Sequence, residues 1–190
     1  MAQFTKKAIE DTFMKLLKEH SMDKITVKDI VEECGINRNT FYYYFADIYD
    51  LIDDIFEVET DRVIEHQDEF ESWSEELRYV AHFVADNRAA IAHIYYSKSR
   101  DVLEKYLFTI SELIIRRYVE REAVNYNVSE ENQNFICAFY GFSLVGMMQS
   151  WIKGNLRIDL EELLNKFSRI LENSIKIVLQ SSEDINESNK

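Results

Sequence analysis

The stretch TVKDIVEECGINRNTFYYYF, residues 26–45, reads as two short helices hinged at a glycine and closed by a run of aromatic residues. Thr26 can cap a first helix on which Val27, Ile30 and Val31 recur at helical spacing, and Gly35 supplies the left-handed residue that ends it. Asn37 can cap a second helix, Arg38 to Tyr44, which is too short to persist alone in water. Phe41 and Phe45 must therefore dock it on its neighbours while the remaining side chains project. Those side chains, Arg38, Asn39, Thr40, Tyr42, Tyr43 and Tyr44, are donors or aromatic hydroxyls. Successive tyrosines point about 100° apart on a helix, so the three cannot all be buried. A helix of this size enters a major groove with its N-terminal residues at base edges and its hydroxyls at phosphates.

The longer segment ITVKDIVEECGINRNTFYYYFADIYDLI, residues 25–52, resembles the helix-turn-helix of TetR-type (TetR/AcrR) transcriptional regulators. The likeness covers a three-helix head from about Phe4 to Phe45 and the start of a linking helix; the rest of the chain matches only in length and helical pattern. It implies that Thr26 and Lys28 touch the phosphate backbone, that Arg38 and Asn39 lie at base edges, and that Thr40, Tyr42, Tyr43 and Tyr44 hold phosphates or bases. Asn37, at the start of the same helix, belongs to the DNA-facing set. One position departs from the family, which places a phosphate-clamping lysine where this chain has Ile48. One lost phosphate neutralisation lowers the salt slope of binding by about one unit. The function implied is that of a repressor which binds a palindromic operator in double-stranded DNA as a homodimer and is released by a small-molecule inducer. The alternative, from another class, is a protein-interaction module whose body binds a partner protein, with DNA binding controlled by that partner or lost.

Composition bounds the fold. The 190 residues contain no proline and only four glycines, so the turn signals of a β protein are missing and an all-α chain of about nine helices is expected. The organisation read from the pattern is a helix-turn-helix head over residues 1–46, a helical ligand-binding and dimerisation body over 47–181, and a disordered tail over 182–190. Net charge is −13, yet residues 1–46 hold seven Lys or Arg and seven Asp or Glu, so the excess acid lies wholly beyond them. At physiological salt the screening length is about 8 Å, so a distant acidic body hardly affects a phosphate held by Lys6, Lys28 or Arg38. The same acid argues against a membrane-surface role. Two widely spaced cysteines, Cys34 and Cys137, and an N-terminus without an apolar run fit a reduced, cytoplasmic chain.

Along the chain, the first helix is expected over Thr5–His20, with Ile9, Phe13, Leu16 and Leu17 inward. Asp47 caps a fourth that runs toward Gln67, and Ser72 with Glu75 forms a capping box opening a fifth. A short sixth spans Ala89–Tyr96, a seventh Arg100–Val124, and Ser129 caps an eighth. Asp159 with Glu162 starts a ninth carrying Leu163, Phe167, Ile170 and Val178. The eighth contains FICAFYGFSLVGMMQSWI, residues 135–152, and is apolar nearly all round. It is a poor membrane span, because Gly141, Ser143, Gly146, Gln149 and Ser150 interrupt it; a central core helix or a covered interface is the reading. Ser143, Gly146 and Ser150 share one stripe, and with Phe167 and Ile170 of the ninth helix they form the expected dimer interface.

No chemistry of catalysis is legible. His20, His66, His82 and His93 are scattered without metal-ligand spacing, adjacent carboxylates diverge on a helix, and there is no phosphate loop or nucleophile elbow. No enzyme, metal or cofactor is expected. The resemblance implies a ligand site among the body helices, where Tyr79, Phe83, Tyr96, Tyr106, Tyr140, Met147 and Trp151 line a cavity or are simply core. A small apolar or aromatic effector is the partner this set suggests.

Overall fold

A computed structural model describes residues 2–66, 70, 72–154 and 157–188. Among the described residues there are nine α-helices, one 3-10 turn and no strand: α1 (Ala2–Glu19), η1 (Met22–Lys24), α2 (Val27–Cys34), α3 (Arg38–Tyr44), α4 (Ile48–Glu65), α5 (Trp73–Asp86), α6 (Arg88–Tyr95), α7 (Arg100–Ala123), α8 (Glu130–Lys153) and α9 (Leu160–Ser188). The expected end of α4 at Gln67 lies outside the described residues. Contacts divide the chain into two compact units, Met1–Glu65 with Asp86–Tyr106, and His66–Ala85 with Leu107–Lys190. The first unit thus gathers α4, α6 and the start of α7 with the expected 46-residue head.

In the first unit, Ile9, Phe13 and Leu17 of α1 are fully buried, as are Ile30 of α2, Phe41 of α3, Leu51 and Ile52 of α4, and Ile91 and Ile94 of α6. Leu16, expected inward, is half-buried and lines a surface concavity with His20 and Ile25. α1 packs against α6, and His93 Nδ1 sits 2.6 Å from the Leu17 carbonyl oxygen near the end of α1. Phe56 of α4 stacks flat on Tyr106, with ring centroids 4.6 Å apart. Asp47 caps α4 as expected: its Oδ1 accepts from the amides of Tyr49 and Asp50, while Asp50 Oδ2 accepts from the Ala46 amide.

In the second unit, Ser129 Oγ accepts from the Asn132 amide to cap α8, and Asp159 Oδ1 accepts from the Glu162 amide to cap α9. Ser72 Oγ is 2.9 Å from Ser74 Oγ at the start of α5. Leu77, Val80, Ala81 and Val84 of α5 are buried. The indole of Trp73 donates to Glu172, Arg78 and His82 both reach Glu161, and Trp73 packs on Tyr118. These contacts tie α5 to α7 and α9.

Three expectations for the last helices change. α8 is not central: Ile136, Tyr140, Leu144, Met148 and Trp151 face inward, while Phe135, Phe139 and Phe142 are exposed beside Ser143, Gly146 and Ser150. α8 is long and apolar enough to cross a membrane by length and composition, and half of that window is buried inside the chain. On α9 the inward row is Leu164, Phe167, Leu171, Ile175 and Leu179, at helical spacing, so Phe167 belongs to the chain's own core and not to an outer face. Ile170, two-thirds exposed, and Ile177 form the outer row instead. The segment expected as a disordered tail stays helical to Ser188, and its last two residues lie outside the described ones. Nothing in SSEDINES breaks a helix, and Ser181 and Ser182 donate their hydroxyls back to the carbonyls of Ile177 and Val178.

Candidate nucleic-acid interface

α2 begins in a reciprocal box. Thr26 Oγ1 accepts from the Asp29 amide at 3.3 Å, and Asp29 Oδ2 accepts from the Thr26 hydroxyl at 2.7 Å and from the Thr26 amide at 2.8 Å; the hydroxyl bond first, then the amide bond, hold the Asp29 carboxyl below its ordinary range. The sequence reading found Thr26 and missed Asp29, although the T-x-x-D spacing announces it. α2 ends at Gly35, whose φ of 72° is the left-handed conformation a side chain would resist. Two residues later Asn37 caps α3, its Oδ1 accepting from the Thr40 amide at 2.9 Å and from the Thr40 hydroxyl at 3.1 Å. Seven residues of helix are thereby fixed at one end by a cap and on one side by Phe41 and Phe45, both buried.

That docking decides what α3 offers. Arg38 and Asn39 are exposed in its first turn, Thr40 and Tyr44 are half-buried, and Tyr42 and Tyr43 are 54% and 77% exposed. The tyrosine rings are held in order by edge-to-face contacts, Tyr42 on Phe41 at 5.5 Å and Tyr43 on Tyr44 at 4.9 Å. Thr26 and Lys28 are exposed on α2, with Lys28 Nζ 3.7 Å from Glu32 in a loose surface pair. Lys6 is turned elsewhere: its ammonium is 2.6 Å from Asp54 of α4 and 5.8 Å above the Phe45 ring. Ile48 is half-buried at the start of α4, where the acids of the first turn are spent on the cap. The arrangement is a short, rigid, exposed helix with a guanidinium, an amide and phenol hydroxyls, able to donate to base edges and phosphates.

The sequence profile described as bacterial regulatory proteins of the tetR family matches residues 9–55, and one described as a transcriptional regulator C-terminal region matches residues 71–173. The chain belongs to the TetR family. It is 26% identical over 179 residues to the HTH-type dhaKLM operon transcriptional activator DhaS of Lactococcus lactis subsp. lactis (strain IL1403), covering 91% of each chain. A solved dihydroxyacetone kinase operon activator DhaS has the same fold, with a TM-score of 0.77, 24% identity, and coverage of 91% of this chain and 97% of that one. A TetR transcriptional regulator from Streptococcus agalactiae 2603V follows at a TM-score of 0.65 and 22% identity, covering 90% and 94%. The TetR regulators among these relatives act on transcription and are not enzymes.

The body residues expected to line a ligand cavity divide between the units. Tyr106 is buried against Phe56 and Tyr96 is exposed, both in the first unit. In the second, Tyr79 is partly exposed near Phe70, Phe83 and Met147 are half-buried, and Tyr140 and Trp151 are buried. The Trp151 indole donates to the Ile158 carbonyl at 3.2 Å, which is a structural bond closing the α8–α9 turn. Among the described residues, no group of three or more metal-ligating side chains converges. His82 pairs with Glu161, and His93 contacts the Leu17 carbonyl.

Proposed function

We propose that this TetR-family protein is a homodimeric, operator-binding regulator in which α3 reads the major groove of a palindromic site. The observation that carries the reading is the docking of α3 through Phe41 and Phe45, which leaves Arg38, Asn39, Tyr42 and Tyr43 exposed together. Arg38 and Asn39 hydrogen-bond base edges, Thr26, Lys28, Thr40 and Tyr44 position phosphates, and Asn37 holds the helix start. Dimerisation uses the outer face of α8 and α9, where Ser143, Gly146 and Ser150 let a second helix approach and Ile170 and Ile177 supply apolar contact. Two-fold symmetry then sets the reading helices about 34–36 Å apart, one turn of DNA. The protein works in the cytoplasm as a repressor. A small apolar or aromatic effector bound in the body releases it, acting by as much as it prefers the non-binding head spacing.

A second reading, favoured by the transcriptional activator DhaS of Lactococcus lactis among its relatives, is that the bound dimer activates transcription. Fluorescence anisotropy against the DNA flanking its own gene tests the shared core of both. Saturable binding with a steep salt dependence supports it, and sequence-independent binding rejects operator reading. A reporter carrying that DNA separates the two signs: deleting the regulator raises output for a repressor and lowers it for an activator.

A further inference from the structure

On the α7–α8 edge of the second unit, Phe108 and Phe142 meet edge to face, 5.4 Å between centroids, beside a cleft of about 140 Å3. Gly141 lies in its lining, and a Cβ built there meets nothing within 4 Å. A glycine inside a helix is less stable than alanine by about 1 kcal/mol, and no neighbour requires one here. Gly141 thus leaves this volume open at a cost in helix propensity. At the polar end, the Arg116 guanidinium donates to Asn134 Oδ1 at 2.8 Å and to Glu112 Oε1 at 2.9 Å. Cys137, almost fully buried, completes the wall, and burial holds its thiol protonated. The cleft thus has an aromatic rim, an apolar floor and a fixed, charge-balanced hydrogen-bonding end.

We infer that this cleft binds a small uncharged molecule with one ring and one hydrogen-bonding group, and that it is the effector site of the body. The effector role rests on the proposed regulatory function; binding does not. The size argument is direct, because an engineered apolar cavity of about 150 Å3 holds benzene. The charge argument follows from Glu112, whose carboxylate already occupies the guanidinium and repels a second anion. Phe142 gives the link to regulation. It forms the rim of the cleft and is also exposed next to Ser143 on the outer face of α8, so a ring that displaces it reshapes that face.

Phenol is the probe, followed by amide proton–nitrogen shifts of the full chain. Saturable shifts at Ala138, Gly141 and Phe142 are expected, with a dissociation constant on the order of 1 mM, the range open to so small a ligand. Gly141→Leu fills the cleft and is expected to weaken phenol about tenfold or more without lowering the melting temperature. Phe108→Ala, at a partly exposed position, is expected to weaken it as well. Benzoate binds about tenfold more weakly than phenol, and Glu112→Gln narrows that gap. Absent or scattered phenol shifts, or undiminished binding by both variants, overturn the site; benzoate equal to phenol overturns the ligand class. Saturating phenol is expected to change operator affinity, and no change overturns the effector role. A wild-type protein that binds no operator either with or without phenol refutes the DNA reading alone, since the phenol titration is scored independently.

Discussion

The α2–α3 hairpin and the body helices are closed by bonds of very different reach. In the hairpin, Thr26 with Asp29 and Asn37 with Thr40 span three residues each, and Gly35 turns the chain by its own conformation. In the body, Trp73 reaches Glu172 across 99 positions, Arg78 reaches Glu161 across 83, and His82 reaches the same carboxylate across 79. A motif closed locally carries its geometry wherever it is docked. A body closed at long range has no face until its partners are in place, and it still leaves Phe135, Phe139, Ile170 and Ile177 uncovered. The difference separates a hairpin fixed by its own local bonds from a body that leaves an apolar face exposed.

The largest effect is expected where the body is uncovered. Gly146 is exposed and a Cβ there meets nothing within 4 Å, so Gly146→Glu leaves the single chain folded. In the proposed dimer it buries a charge at the closest approach of two helices. Light scattering should show a monomer, and operator affinity should fall about 100-fold or more as two linked half-sites become one. A wild-type protein that is already monomeric at micromolar concentration, or a variant that remains dimeric, removes α8 from the interface.

The head is broken more gently. Arg38→Ala removes an exposed side chain from a helix held by its cap and by Phe41, so melting should be unchanged. Operator affinity should drop by about 1–3 kcal/mol, the worth of a bidentate arginine–base contact. Tyr42→Ala should weaken binding less, as a phosphate or stacking contact. If neither variant changes affinity, α3 is not the reading helix.

This contrast also explains what could be read in the sequence. The caps at Thr26, Asn37, Asp47, Ser129 and Asp159 lie beside the residues they bond, and all of them form as read. The outward pair Arg38 and Asn39 follows from the burial of Phe41 and Phe45, which is also local. Phe167 and Ile170 both read as interface residues along α9 because both are apolar, and only the packing of the folded chain separates them, burying Phe167 and leaving Ile170 exposed. The cleft at Gly141 was invisible for the same reason, since three of its eight lining residues, Phe108, Glu112 and Arg116, come from α7.

A smaller effect sharpens the local side of the comparison. Gly35→Ala forces a side chain into the left-handed region at φ 72°, at a cost of about 1–2 kcal/mol. Asn37→Ala removes one cap bond, worth about 1 kcal/mol. For a chain of this length each kcal/mol lowers the melting temperature by about 2–4 °C. If the hairpin is closed locally, the two costs add; a combined loss well beyond the sum means that α2 and α3 are held by a shared long-range element.

The smallest effect concerns pH. Glu10 of α1 is nearly buried, and burial pushes its carboxyl above the ordinary 4.5, opposed by Lys7 at 3.8 Å and Lys6 and reinforced by Asp54 and Asp11. Because the folded state holds this proton more tightly than the unfolded one, its contribution is most favourable at and below pH 4.5 and declines as pH rises through the folded value. Glu10→Gln keeps the shape and removes the charge. Stability at pH 7 should therefore rise slightly, by no more than about 0.5–1 kcal/mol, given the weak Lys7 pair that is lost with it. More diagnostic is the profile: denaturant midpoints of the wild type should decline between pH 4.5 and neutrality relative to the variant, and the two should converge at the acid end. Parallel profiles show that Glu10 titrates as an exposed group does, and that the α1 face carrying it is open to water.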